Sequence, residues 1–224
     1  MTRRVLVVVA HSDDEALGCG GAIARHVAEG DSVAAISMTN GVGARTADEG
    51  PTQRRRVAAE RSAEVLGFEW LTTGAFPDNA MDTVPLLDIA RFIELSKREI
   101  SPSLVYTHHG GDLNVDHRAV CQAVLTACRP QPLEEVREIR AFEVASSTEW
   151  NSPVGGAQFA PNLFVGIGPY WKRKEASLEA YADEMREPPH ARSLDSLRHL
   201  AAVRGSQAGL PLAEAFMLIR HVAP

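Results

Sequence analysis

The first 130 residues alternate between short apolar runs and stretches with helical periodicity. The run Val5 to Val9 has no polar residue, which is typical of a strand buried on both faces of a sheet. A helical pattern over Ala16 to Glu29 follows, and Gly30 ends it. The alternation continues with strands at 32–38, 69–74 and 104–107, and with helices at 51–67, 85–100 and 115–128. This order predicts an α/β fold with a Rossmann-like parallel sheet flanked by helices.

The last third of the chain departs from this pattern. Strand-like runs at 139–145 and 162–165 enclose an irregular segment rich in Ser, Thr, Gly and Pro. Helical patterns at 171–185 and 193–205 precede a closing strand at 214–220. A length of 224 residues fits one medium α/β domain. We therefore expect a single domain over 1–224, with a Rossmann-like core at 1–130 and a variable α+β portion at 131–224 that shapes the substrate pocket.

Charge and cysteine content narrow the range of partners. The net charge of −6 argues against nucleic acid or an anionic membrane as the main partner. No run approaches the roughly 20 apolar residues that span a bilayer. The three cysteines (Cys19, Cys121 and Cys128) have no CxxC spacing, which favours a reducing compartment over a disulfide framework. We expect a cytoplasmic protein that acts on a small molecule; self-association is left open.

An acidic cluster with one histidine follows the first predicted strand, in the stretch "AHSDDE" at residues 10–15. A helix start accounts for part of it, because Ser12-x-x-Glu15 matches a capping box and acids favour a first helical turn. Capping leaves His11 and one of the two aspartates unexplained. His11 and Asp14 are separated by two residues on a strand-to-helix turn, so they can bind one cation together. An imidazole with a carboxylate suits zinc.

A second cluster, within "YTHHGGDLNVDHRAV" at 106–120, also follows a predicted strand. Parallel strands emerge at one edge of a sheet, where ligands bind, so the two clusters should meet. Catalytic zinc sites use three protein ligands, and we predict His117 as the third. Asp116 is expected to orient an imidazole, and Asp13 to take a proton from an attacking water. The neighbouring pair His108 and His109 is equally well explained as a polar loop rim.

The first motif resembles A-H-P-D-D-E of the zinc-dependent N-deacetylases of the PIG-L/LmbE type. "NVDH" at 114–117 resembles the H-x-D-H-like second motif of that family. The resemblance implies zinc bound by His11, Asp14 and His117, with Asp13 as general base and the metal polarising an amide carbonyl. It implies hydrolysis of a linear amide bond, with release of an acetyl group from an amino sugar such as N-acetylglucosamine. Iron or another divalent ion could occupy the same ligands.

The resemblance also implies substrate-binding residues. An arginine of the second helix and an aspartate of the following loop hold the sugar in similar proteins, and Arg56 and Asp78 are the nearest matches. A solvated helix face and a turn residue are the alternatives for these two positions.

Two departures from the family pattern concern Ser12 and Asn114. Ser12 replaces a proline, which affects the stiffness of the loop. Asn114 replaces a histidine; it can donate a hydrogen bond to an oxyanion but cannot act as an acid. His190, in "EPPHARS", is our candidate for the missing proton donor, with His108 and His109 as alternatives.

Other functions fit the sequence less well. Gly18, Gly20 and Gly21 follow the first strand too late for a dinucleotide fingerprint, and close packing of the helix against the sheet explains them better. A signalling receiver would need an aspartate at the end of the third strand, where this chain has "WLTTG". An amidase acting on a thiol conjugate or another non-sugar N-acyl metabolite remains open. Trp150 could stack on a sugar, whereas Phe159 and Trp171 are expected to fill the core.

Overall fold

The structure is a computed structural model that describes residues 2–43, 49–152 and 157–223. Its helices and strands, in chain order, are β1 (Arg4–Val9), α1 (Asp14–Ala28), β2 (Ser32–Ser37), α2 (Glu49–Leu66), β3 (Glu69–Thr73), α3 (Leu86–Ile100), β4 (Leu104–His108), α4 (Val115–Ala127), β5 (Glu138–Phe142), β6 (Leu163–Gly166), α5 (Trp171–Ala180), α6 (Leu194–Ser206) and β7 (Ala213–His221). They follow the expected order of elements closely. The predicted helix at 171–185 is the exception, because it ends at Ala180 and a 3₁₀ turn at Ala182–Glu184 follows.

The strands form one sheet in the order β3-β2-β1-β4-β5-β7-β6. Strands β1 to β5 are parallel, whereas β7 runs antiparallel to β5 and β6 antiparallel to β7. The expected Rossmann-like sheet is thereby confirmed. The chain reverses its direction across the sheet between β1 and β4, and a crevice beyond the carboxyl ends of such strands is the usual ligand site in open α/β sheets.

Helices cover both faces of the sheet. Helices α1, α2, α5 and α6 pack on one face, and α3 and α4 on the other. In β1, Val5 and Val7 point to the first layer and Leu6 and Val8 to the second, and all four are fully buried. Trp171 lies in the first layer, as expected. None of the described helices is long and apolar enough to cross a membrane.

Helix α1 lies very close to the sheet because it carries glycines at the contact. A Cβ atom at Gly18 would stand 2.2 Å from Phe142 Cδ2, and one at Gly21 would stand 2.7 Å from Ile167 Cγ2. The expectation that glycines allow close packing of this helix is confirmed for Gly18 and Gly21, whereas a Cβ atom at Gly20 would make only ordinary contacts, at 3.5 Å or more. Residues 11–15, which lead into α1, are consequently held against the ends of the central strands.

Replacing Gly18 with alanine should lower the free energy of unfolding by about 1–3 kcal/mol, because the added methyl group overpacks the contact with Phe142. Urea denaturation measures the change. Gly168→Ala is the matched control, since a Cβ there meets nothing within 4 Å. Equal effects of the two substitutions would contradict the packing role of Gly18.

A buried ion pair stabilises a break in α1 at Cys19, where the backbone has φ −145° and ψ 19°. The Glu214 carboxylate accepts hydrogen bonds from the N–H groups of residues 21 and 22, at 2.8 and 2.7 Å. Lys174 Nζ donates to the Leu17 carbonyl at 2.9 Å and to Glu214 Oε1 at 2.6 Å. The pair thus satisfies backbone groups on both sides of the break, as buried polar groups require.

Candidate metal centre

The polar residues singled out in the sequence meet at the carboxyl ends of the parallel strands. Residues 11–15 follow β1, residues 112–117 follow β4, and Asp78 lies in the loop after β3. Ligand atoms of His11, Asp14 and His117 all lie within 4.8 Å of one another. The structure therefore brings together the three residues predicted as metal ligands.

Asp14 lies between the two imidazoles. Its carboxylate oxygens stand 3.2 Å from His11 Nδ1 and 3.4 Å from His117 Nε2. Asp14 is 1% exposed, and its Oδ1 atom has no hydrogen-bond partner in the described part of the chain. Two imidazoles and a carboxylate are donors that suit zinc. One ligand atom from each of the three residues lies within 4.8 Å of the others, so the donor set fits a single zinc ion.

Carboxylates face the remaining ring nitrogens of both histidines. His11 Nε2 lies 3.1 Å from Asp116 Oδ2 and 3.2 Å from Asp78 Oδ1. His117 Nδ1 lies 3.2 Å from Asp112 Oδ1. Histidines that bind metals usually direct the second nitrogen to such a partner, which fixes the orientation of the ring. Asp116 therefore faces His11, which belongs to the first cluster, and not its sequence neighbour His117.

Asp112 is a residue that the family motifs do not contain. The side-chain hydroxyl groups of Ser147 and Thr148, in the loop after β5, donate to its two carboxylate oxygens. Asp112 also accepts the backbone N–H of Asn114 at 2.8 Å. The sequence could have indicated Asp112 as a partner of the histidines, because it follows β4 in the same polar stretch as His117.

The carboxylates make the centre favourable for positive charge. Burial by itself lowers the pKa of His117, but Asp14 and Asp112 outweigh burial and raise this pKa to about 9. Burial likewise lowers the pKa of His11, and its hydrogen bonds with Asp116 and Asp14 hold that pKa well above the ordinary value. A divalent cation brings two positive charges, as many as two protonated imidazoles do. Its binding must displace the protons from the ring nitrogens that become ligands.

His108 is a neutral, structural imidazole in this arrangement. Its ring stacks on that of His117, with centroids 3.9 Å apart, and its Nε2 atom accepts the backbone N–H of Ala10 at 2.9 Å. Burial, followed by the nearby His117, lowers its pKa well below the ordinary value. These contacts join the ends of β1 and β4.

Asp13 has a strained backbone, with φ 154° and ψ −25°. Such a conformation costs a non-glycine residue on the order of 1–3 kcal/mol and is typical of functional sites. The Asp13 N–H donates to Glu15 Oε2 at 3.0 Å. Glu15 is held in turn by the hydroxyls of Ser62 and Tyr181, and burial raises its pKa to about 7. The expected cap by Ser12 is wrong, because Asp13 occupies the N-cap position and its side chain makes no capping hydrogen bond; Glu15 does accept the N–H of this N-cap residue.

Two arginines hold the side chain of Asp13. Its Oδ2 atom lies 3.2 Å from Arg55 Nη1 and 3.1 Å from Arg192 Nη1. Both arginines also contact the carboxylate of Glu184, at 2.5 and 3.7 Å. Arg55 directly precedes the predicted Arg56 in α2, and no sequence signal indicates Arg192.

The predicted residues Arg56 and His190 do not take part in the contacts around Asp13. Arg56 has a side chain that is 66% exposed, and it faces Glu60 at 3.8 Å. Arg55 is thus the arginine of α2 that reaches the centre. The ring of His190 packs edge-on against Trp150, with centroids 5.7 Å apart, and its Nδ1 atom accepts the N–H of Arg192 at 3.0 Å.

Asn114 is the N-cap residue of α4. Its side-chain oxygen accepts the N–H groups of Asp116 and His117, at 2.8 and 3.4 Å, and its NH₂ group donates to Asn79 Oδ1 at 3.2 Å. The oxygen is therefore engaged, and the NH₂ group is the part of Asn114 that can donate to a substrate. Capping also explains why an asparagine suits this position.

The sequence matches the family model of PIG-L, described as GlcNAc-PI de-N-acetylase, over residues 6–128. This span contains both motifs and the three predicted metal ligands. The chain belongs to the PIG-L family.

The relatives of this PIG-L chain match most of its length. It is 30% identical to the "Uncharacterized deacetylase YaiS" of Escherichia coli over 79% of this chain and 89% of that protein. It is 27% identical to the "Probable N-acetyl-alpha-D-glucosaminyl L-malate deacetylase 2" of Bacillus cereus, over 86% and 90% of the two chains. The crystal structure of protein TT1542 from Thermus thermophilus has the same fold, with a TM-score of 0.78, 24% identity, and coverage of 100% and 97%.

Proposed function

We propose that this PIG-L chain is a zinc-dependent hydrolase that removes an acetyl group from the nitrogen of an amino sugar or a small sugar conjugate. The observation that supports it most directly is the convergence of His11, Asp14 and His117, with Asp13 beside them. The names of the two relatives, both deacetylases and one acting on a glucosaminyl conjugate, favour the same reaction and substrate class.

Each role is assigned to a side chain of the centre. Bound zinc would supply a Lewis acid that polarises the amide carbonyl and activates water. Asp13 accepts the proton of the attacking water as general base. The NH₂ group of Asn114 donates to the developing oxyanion. His190, whose Nδ1 accepts a backbone N–H, donates its own Nε2 proton to the leaving amine.

Four further residues of the proposal position the substrate and the predicted ligands. Asp78 holds a sugar hydroxyl, with Arg55 in the place that the family pattern suggested for Arg56. Asp116 and Asp112 orient the two imidazoles, so that each keeps one nitrogen directed toward Asp14.

Acetate release from free, nucleotide-linked and lipid-linked N-acetyl sugars tests the proposed function. The zinc-loaded protein should release acetate from at least one class, and removal of zinc with a chelator should abolish the release until zinc is restored. If it releases none but hydrolyses N-acyl thiol conjugates, the amidase alternative replaces the proposal.

The Asp13→Asn variant should lower kcat by about 10²–10⁴-fold, because it removes a general base while leaving the ligand atoms in place. Elemental analysis should find zinc retained at the level of the unmodified protein. Asp183→Asn, which removes an exposed carboxylate paired with Arg54, is the control and should leave kcat unchanged. Retained turnover in Asp13→Asn would assign the proton transfer to another group.

A further inference from the structure

We propose that Arg192 is a positioning residue for Asp13, an inference that rests on the proposed function. Together with Arg55, it binds one carboxylate oxygen of Asp13 and thereby directs the other oxygen to the proton of the attacking water. Arg192 lies outside residues 6–128, the span that matches the family model.

The contacts of Asp13 are unequal at its two oxygens. Both guanidinium groups approach Oδ2, Arg55 at 3.2 Å and Arg192 at 3.1 Å. In the described ranges, no hydrogen bond engages Oδ1. A carboxylate held through one oxygen keeps the other at a defined position, and a misplacement of about 1 Å can cost roughly 10²-fold in rate.

Arg192 is itself held in place on several sides. Its Nε atom donates to Ser146 Oγ at 2.7 Å, and its backbone N–H donates to His190 Nδ1 at 3.0 Å. Its side chain is 18% exposed. Ser146 directly precedes the two hydroxyl residues that bind Asp112. Arg192 therefore ties the loop after β5 to Asp13, which is 179 residues away in sequence.

The charges around Asp13 balance only when both arginines are present. Asp13 and Glu184 contribute two carboxylates, and Arg55 and Arg192 contribute two guanidinium groups. Arg55 is already engaged at Glu184 Oε1, at 2.5 Å, and at the Ser12 carbonyl. Without Arg192, Asp13 and Glu184 share the single guanidinium group of Arg55. The Asp13 carboxylate then loses the contact that restricts its rotation from the C-terminal segment.

The kinetic test compares Arg192→Met with Arg192→Lys. The methionine variant should lower kcat by about 10–100-fold, with KM within about twofold and zinc content unchanged. Lysine should restore part of kcat, because it supplies the charge without the fork of the guanidinium. Arg204→Met is the matched control: its side chain is 17% exposed and pairs with Glu143, and we expect its kcat to be unchanged.

A crystal structure of Arg192→Met gives a readout that needs no substrate. The Asp13 carboxylate should be rotated relative to its present orientation or occupy two conformers. An unchanged carboxylate overturns the proposal, as does a rise in KM with constant kcat or a loss of kcat equal to that of Arg204→Met. If the unmodified protein releases no acetate, the proposed function fails, while the crystal structure still decides whether Arg192 positions Asp13.

Discussion

The His117→Ala variant is expected to lose stoichiometric zinc and at least about a thousandfold of its hydrolytic rate. His117 is one of three proposed ligands, and its Nε2 atom is 3.4 Å from the Asp14 oxygen that lacks a hydrogen-bond partner in the described residues. A metal ion contributes several kcal/mol of transition-state stabilisation, and each 1.36 kcal/mol is a factor of ten. Elemental analysis of the purified variant measures the metal, and acetate release measures the rate.

The control for this prediction is His199→Ala, which removes an exposed histidine of α6 and should retain zinc and rate. Circular dichroism checks that His117→Ala is folded, since the ring of His117 is buried against His108. A folded His117→Ala protein that retained stoichiometric zinc would show that the assigned ligand set is wrong.

The Lys174→Met variant should lower the free energy of unfolding by about 3–5 kcal/mol, the largest effect on stability that we expect. Lys174 and Glu214 are both buried and 2.6 Å apart, so the substitution leaves an uncompensated carboxylate in the interior. It also removes the donor to the carbonyl of Leu17 at the break in α1. Urea denaturation measures the difference.

Two further variants separate charge from packing at this site. Adding Glu214→Gln to Lys174→Met should recover part of the loss, because the double variant has no buried charge. Lys172→Met removes an exposed lysine of the same helix and should change the free energy of unfolding by no more than about 0.5 kcal/mol. A loss below about 1 kcal/mol in Lys174→Met would contradict the assigned role.

Much of the fold is readable in the sequence because local signals are strong there. The run Val5 to Val9 and the regular alternation of elements predict the parallel core, and the glycines at 18 and 21 predict close packing of α1. The antiparallel pairing of β7 between β5 and β6 is not predictable in this way. Partners in a sheet depend on contacts between distant segments, and apolar patterns do not specify those contacts.

The three predicted metal ligands are readable for a related reason. His11, Asp14 and His117 follow two strands of a parallel sheet, and such strands end at one edge. Their residue types and their place after a strand are local properties. The sequence alone therefore determines that two clusters of predicted ligand residues meet.

Only the tertiary structure decides which side chains surround those ligands. Asp112 meets His117 through a turn of the loop, Arg55 differs from Arg56 by its face on α2, and Arg192 reaches Asp13 from a segment 179 residues away. An arginine or an aspartate is ordinary on a surface, so its type carries no signal of such a contact. The packing of the C-terminal helix α5 against α1 and α2 accompanies the approach of Arg192 to Asp13, and the local sequence does not specify that packing.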